Sequence, residues 1–220
     1  MTPETKKNLS LWLEGPYDAT TKQEILNLVK NHPEELEDAF YTHLSFGTCL
    51  LRCLMGFFTN RMNGYSVRST TQGLANYLKK TVQDPLSVCI GYDARHHSRF
   101  FAEEAAKVLA GNGIRVFLFR EIRPTPLVSF ACREKKCSAA IMITASHNPS
   151  AYNGYKVYWS DGGQVVPPHD IGILEEAAKV QDPTQVRVAT HLSHPSIAWL
   201  GEEMDTLYLN AISTLQIHPQ

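Results

Sequence analysis

Ser138-Ala139-Ala140-Ile141-Met142-Ile143-Thr144-Ala145-Ser146-His147-Asn148-Pro149 is the stretch on which the fold turns. Its first half is an apolar run of strand length. It stops abruptly in small polar residues and an Asn-Pro turn signal. The same alternation extends outward on both sides. Upstream, Leu86–Tyr92 and Ile114–Phe119 read as strands. Between them Ser98 caps a helix carrying Phe101, Ala105, Val108 and Leu109, which Gly111 ends. Thr125–Cys132 reads as the next helix. Downstream, Gly154–Trp159 is a fourth strand, Asp161-Gly162-Gly163 a turn and Pro168–Val180 a helix. Strands alternating with helices predict an α/β sandwich with a largely parallel sheet.

The ends of the chain read as helical. Thr21-x-x-Glu24 has the form of a capping box ahead of Ile25, Leu28 and Val29. Pro33 suits the first position of a helix over Glu34–Tyr41, and Ser69-x-x-Gln72 the start of another with Leu74, Tyr77, Leu78 and Val82 on one face. Residues 181–195 read as a surface connection, and Pro195–Ser213 as a last helix with Ile197, Leu200, Met204 and Leu207 inward.

Composition narrows the functional class. The chain has 220 residues, with Lys+Arg 21 against Asp+Glu 22 and a formal net charge of -1. That balance offers no broad basic field for nucleic acid. The longest apolar stretch, Cys49–Phe58, is broken by Arg52 and too short to span a bilayer, so no membrane role is expected. Met1–Asn8 has no secretory character. Five cysteines at 49, 53, 89, 132 and 137 form no C-x-x-C pair, which points to reduced thiols and a cytoplasmic setting rather than disulfides or zinc.

The chemistry concentrates at residues 144–149. Ligands of α/β sheets bind at the carboxyl ends of strands, and small residues there let backbone amides approach an anion. Ser146 supplies a hydroxyl and His147 a titratable ring. A surface turn in which Ser and Asn satisfy backbone groups explains the same residues, and the residues alone leave both readings open. A Ser/His hydrolase fits poorly, because adjacent side chains rarely align as nucleophile and base and no G-x-S-x-G elbow is present.

A wider window adds a resemblance. Thr144-Ala145-Ser146-His147-Asn148-Pro149-Ser150-Ala151-Tyr152-Asn153-Gly154-Tyr155-Lys156 resembles the active-site serine loop of the α-D-phosphohexomutase superfamily, in its phosphoglucomutase and phosphomannomutase branch. Phe46-Gly47-Thr48, Arg52 and Thr59–Asn63 resemble its N-terminal active-site segment, and Thr70-Thr71-Gln72-Gly73 the helix that follows. Gly91-Tyr92-Asp93-Ala94-Arg95 is similar to its G-Y-D-x-R segment, and Arg123-Pro124-Thr125-Pro126 to the segment before its third strand.

The resemblance implies a three-layer α/β/α sandwich with a mixed sheet over residues 1–195, and a linker helix over 196–220 opening a second domain. It implies a phosphoserine mutase that interconverts hexose 1-phosphate and 6-phosphate through a sugar 1,6-bisphosphate, which also serves as activator. Ser146 matches the phosphoserine, and His147, Arg52 and Lys156 the groups around it. Thr48, Asn148, Arg61 and Arg95 match phosphate- or substrate-binding positions. Mg²⁺ is implied on the phosphoserine, held mainly by a D-G-D-G-D type loop that these residues do not contain. The 220 residues are therefore expected to be an N-terminal fragment without mutase turnover of its own. Its partners are small sugar phosphates, and its oligomeric state is left open. A phosphoserine of roughly −1.5 to −2 charge beside a sugar phosphate needs cations, which suits Arg52 as a fork and Lys156 as a point charge.

The match departs in one segment. Where the pattern has small or glycine residues, positions 49, 50, 53 and 58 are Cys, Leu, Cys and Phe. An L-residue forced into left-handed backbone costs on the order of 1–2 kcal/mol. The segment is therefore expected to be rearranged, misread in the sequence or decayed, which leaves the placement of Arg52 open. The alternatives are a sugar-phosphate-binding or regulatory module without chemistry, and an interaction protein using the apolar 49–58 run as a contact surface.

Overall fold

The computed structural model describes residues 1–42, 50–83, 85–180 and 182–217. Thr48 and Cys49, singled out from the sequence, lie outside them.

The N-terminal helices α1 (Pro3–Glu14), α2 (Ala19–Asn31) and α3 (Leu36–Phe40) form a satellite layer. Trp12, Ile25, Leu36, Ala39 and Phe40 are its own buried cluster. The cap of α2 is Asp18 rather than Thr21: the Asp18 carboxylate accepts from the Thr21 amide at 2.9 Å. The helix expected over Glu34–Tyr41 is a 3₁₀ turn at Pro33–Glu35 followed by the short α3.

Six strands form one sheet: β1 (Leu50–Leu54), β2 (Ser87–Tyr92), β3 (Arg115–Phe119), β4 (Ala139–Ile143), β5 (Tyr152–Trp159) and β6 (Ile197–Leu200), in the order β1-β5-β4-β2-β3-β6. The β4–β2, β2–β3 and β3–β6 pairs are parallel, while β5 runs antiparallel to both β1 and β4. The central parallel strands β2 and β4 are buried on both faces, as their continuous apolar sequences require. Helices α4 (Gly64–Thr81), α5 (Ser98–Gly111) and α7 (His169–Ala178) contribute Leu74, Leu78, Phe101, Leu109 and Ile173 to the core on one face. Helices α6 (Thr125–Glu134) and α8 (Glu202–Ser213) contribute Val128, Ala131 and Met204 to the core on the other. This is the expected three-layer sandwich.

Two further element readings are corrected, and one segment given no element gains one. Helix α4 begins at Gly64 rather than near Ser69, because Asn63 and Ser66 cap it reciprocally, each side-chain oxygen accepting from the other's backbone amide at 2.9 Å. The apolar segment after position 49 holds a strand, β1, at the sheet edge. Ile197–Leu200 is a strand paired with β3, not the opening of a helix, and the helix starts only after Gly201. Leu207, expected inward, is 41% exposed. Among the described residues no helix is long and apolar enough to cross a membrane.

Candidate active site

The site lies where β4 ends and the chain turns back into β5. The register places Lys156 of β5 opposite Met142 of β4, and Arg52 of β1 opposite Gly154 of β5. Positions two apart on a strand share a face, and directly paired residues share it too. Arg52 and Lys156 therefore leave the same face of the sheet, with Gly154 placing no side chain between them.

Ser146 sits in the loop with φ of 55°, a left-handed conformation uncommon for a residue with a Cβ. The Thr144 hydroxyl accepts from the Ser146 amide at 2.9 Å, and the Asn148 amide donates to the Ala145 carbonyl at 3.1 Å. These short-range bonds make the turn that lifts Ser146 out of the core: Ala145 is fully buried and Ser146 is exposed. Lys156 donates from Nζ to Ser146 Oγ at 3.2 Å. Arg52 donates from Nη1 to the Asn148 side-chain oxygen at 3.1 Å. Ser146, Asn148, Arg52 and Lys156 are thus brought together, and His147 is exposed beside them.

The other two expected phosphate ligands are engaged elsewhere. Arg61 forms an ion pair with Asp38 and donates to the Asn60 carbonyl at 3.0 Å, tying the 55–63 loop to the N-terminal helices. Arg95 turns its guanidinium onto the serine loop. Nη1 donates to the carbonyls of Pro149 and Tyr152 at 3.0 Å each, and Nη2 to the carbonyl of Ser146 at 2.8 Å and to that of Asn148. Cys53, next to Arg52, is no rival nucleophile: burial pushes its thiol up to about 12 despite Arg61 nearby.

Two contributors escaped the sequence reading. Thr144 closes the turn under Ser146, and a threonine two residues before the bonded amide is its signal. Asn153, fully buried, donates to the His96 carbonyl at 3.0 Å and to Ser98 Oγ at 2.9 Å, locking the start of β5 to the loop that carries Arg95. Nothing in an Asn at a strand start announces that pairing.

The loop bearing Ser146 also bears on the chain's relationships. Residues 43–184 match the family model for phosphoglucomutase/phosphomannomutase, alpha/beta/alpha domain I. The chain belongs to the phosphoglucomutase/phosphomannomutase family. A phosphopentomutase of Homo sapiens is 41% identical over 181 residues, covering 78% of this chain and 30% of that protein. A phosphoribomutase of Saccharomyces cerevisiae is 37% identical over 229 residues, covering 98% of this chain and 37% of its own length. A solved structure described as a putative phosphomannomutase from Thermus thermophilus aligns with a TM-score of 0.65 at 26% identity, covering 79% of this chain and 36% of that one. This member of the phosphoglucomutase/phosphomannomutase family thus spans 30 to 37% of the length of these curated relatives.

Mg²⁺, implied by the family, needs near-octahedral oxygen ligation. Among the described residues, those whose carboxylate, imidazole or thiol groups converge in threes are His32, Glu34 and Glu35, on the exposed turn before α3. The residues around Ser146 do not by themselves fit the ion.

Proposed function

We propose that this chain carries the phosphoserine of a sugar-phosphate mutase. The observation behind the reading is the 3.2 Å contact of Lys156 Nζ with Ser146 Oγ, with Arg52 held on the same sheet face through Asn148. A serine hydroxyl at the carboxyl end of a central strand, flanked by two cations, is suited to holding a transferable phosphoryl group.

In this reading a sugar monophosphate binds with a free hydroxyl facing phosphoserine 146. The hydroxyl oxygen attacks phosphorus, the P–O bond to the sugar forms and the P–Oγ bond breaks. The hydroxyl proton passes to a base, for which His147 is the neighbouring candidate. Oγ leaves beside the Lys156 ammonium and recovers a proton. The sugar is now a bisphosphate, and reversal through its other phosphate restores phosphoserine and yields the isomer. Arg52 and Lys156 offset charge on the phosphoryl oxygens, where electrostatic stabilisation contributes most. In this reading a phosphoryl oxygen on Ser146 would be one ligand of Mg²⁺, which would offset its charge, with the remaining oxygen ligands supplied from outside these residues. The names of the relatives, phosphopentomutase and phosphoribomutase alongside phosphoglucomutase, support a five- or six-carbon sugar phosphate.

The test is incubation with glucose 1,6-bisphosphate or ribose 1,5-bisphosphate and Mg²⁺, followed by mass spectrometry of the Ser146 peptide. Phosphate on Ser146, absent in Ser146→Ala and formed roughly 10²–10³-fold more slowly in Lys156→Ala, is the expected outcome. Sugar-phosphate binding that survives Ser146→Ala, with no phosphoserine formed from either donor, would instead establish a binding module.

A further inference from the structure

Arg95 stands in the loop after β2, on the strand next to β4, and its guanidinium reaches carbonyls at both ends of the serine loop. The carbonyls of Ser146 and Asn148 lie on the arm leaving β4, those of Pro149 and Tyr152 on the arm entering β5. A planar fork with five N–H donors in fixed directions can span four acceptors in this way, while an ammonium on a flexible stem cannot. The arginine is itself held. Its amide donates to Asp93 Oδ1 at 3.0 Å, Ser98 Oγ donates to the same oxygen at 2.8 Å, and Asp93 Oδ2 lies 3.8 Å from Nε. Its side chain is only 14% exposed. Asn153 fixes the far end of the loop to the same Ser98 hydroxyl.

The loop needs such a clasp. Ser146 has positive φ, a conformation that persists only where the surroundings over-determine it. The Thr144 hydroxyl fixes one side of Ser146 through its amide, and Arg95 fixes the other through its carbonyl. Between these two bonds the direction of Cβ is set, and the Lys156 ammonium selects the Oγ rotamer from there.

We propose that Arg95 is a positioning residue for Ser146: it orders the serine loop from behind and makes no contact with the sugar phosphate. The proposal rests on the phosphoserine reading only for its catalytic consequence; the ordering of the loop stands without it. Both Nη groups are turned onto carbonyls, and Nε is buried without a hydrogen-bond partner, 3.8 Å from the Asp93 carboxylate, so the guanidinium has no exposed edge to present to a phosphate.

The first measurement is amide hydrogen exchange in Arg95→Lys and Arg95→Gln. The Asn148 and Tyr152 amides are expected to exchange at least about tenfold faster in both, with amides of β2 and β4 unchanged. Retained protection in the loop, or acceleration spread equally over the strands, would overturn the proposal. If neither variant folds, Asp93→Asn, which loosens the arginine without altering it, is expected to speed the same two amides about threefold, and no change there would count equally against it. The second measurement is the rate of Ser146 phosphorylation by a sugar bisphosphate. In Arg95→Lys the maximal rate is expected to fall at least about tenfold with the half-saturating donor concentration unchanged. A raised half-saturation with an unchanged maximal rate would make Arg95 a phosphate ligand instead. If the wild-type chain takes no phosphate from either donor, the phosphoserine reading fails, and the exchange measurement still decides the role of Arg95.

Discussion

Phe58 has φ of 95°, at one of the positions where the family pattern calls for glycine. The residue carries a Cβ in backbone that disfavours one, and its ring packs on Phe40 with centroids 4.9 Å apart. Two terms therefore oppose each other at one site, and a pair of variants separates them. Phe58→Ala and Phe58→Gly lose the same ring, but only glycine releases the backbone. Glycine is expected to be the more stable of the two by about 1 kcal/mol, or roughly 2–4 °C in thermal midpoint for a chain of this size. An alanine variant as stable as the glycine one would mean that no strain is stored there. The other departures need no such account where they are described: Leu50 and Cys53 fall in β1, and strand backbone does not ask for glycine. The convergence of Ser146, Asn148 and Lys156 was legible because all three sit in one motif of fixed spacing, whereas Arg52 joins them from the segment that departs from the pattern. The partners of Arg61 and Arg95 were not, since an arginine reads the same whether its fork meets a phosphate, a carboxylate or a carbonyl.

Helix boundaries depend on caps that compete over a few residues. At the start of α2, both Asp18 and Thr21 offer oxygens, and Asp18 takes the cap because Tyr65 of α4 completes its shell. The Tyr65 hydroxyl donates to Asp18 Oδ2 at 2.6 Å and accepts from the Asp18 amide at 3.0 Å. The Tyr65 hydroxyl, followed by the Thr21 amide, holds the Asp18 carboxyl down at about 2, against 3.8 ordinarily. A carboxylate lowered on folding stabilises the fold above its unfolded value and loses that contribution as pH falls to the folded one. The wild-type chain is therefore expected to lose stability between about pH 4 and pH 2 more steeply than Asp18→Asn, which still caps but does not titrate. Equal slopes in acid denaturation monitored by circular dichroism would remove Asp18 from the linkage. Because the group is exposed, added salt is expected to shrink the difference. The strand β6 shows the opposite kind of misreading. Ile197, Leu200 and Met204 are all buried and spaced three and four apart, which imitates a helix face. Four residues are too few for period two to declare itself, and only Gly201 marks the break.

At the scale of the whole chain, the sandwich closes over its thiols. Alternating strands and helices made this architecture readable, since a parallel sheet must be covered on both faces and the sequence supplies helices for both. The antiparallel β1 at the edge was harder to see, because one edge strand carries no alternation of its own to read. The consequence for chemistry is that the four cysteines among the described residues are inert in the native state. Cys89, Cys132 and Cys137 are buried in the core facing α6, and Cys53 is half-buried in β1. Burial pushes Cys53 and Cys132 up to about 12 and Cys137 to about 11, and Cys89 well above the ordinary value of 9.0. Alkylation proceeds through the thiolate, whose fraction at pH 8 is about one in ten for an unperturbed thiol here and on the order of one in 10⁴ at a pKa near 12. Iodoacetamide at pH 8 is therefore expected to leave these four cysteines unmodified over a time in which a small-molecule thiol reacts fully. All four should label at once in denaturant. Peptide mapping by mass spectrometry reads each site separately. Rapid native labelling of Cys89, Cys132 or Cys137 would mean that the α6 layer opens on that timescale. Labelling confined to Cys53 would place the opening at the β1 edge, beside Arg52, and would make that edge the movable wall of the site.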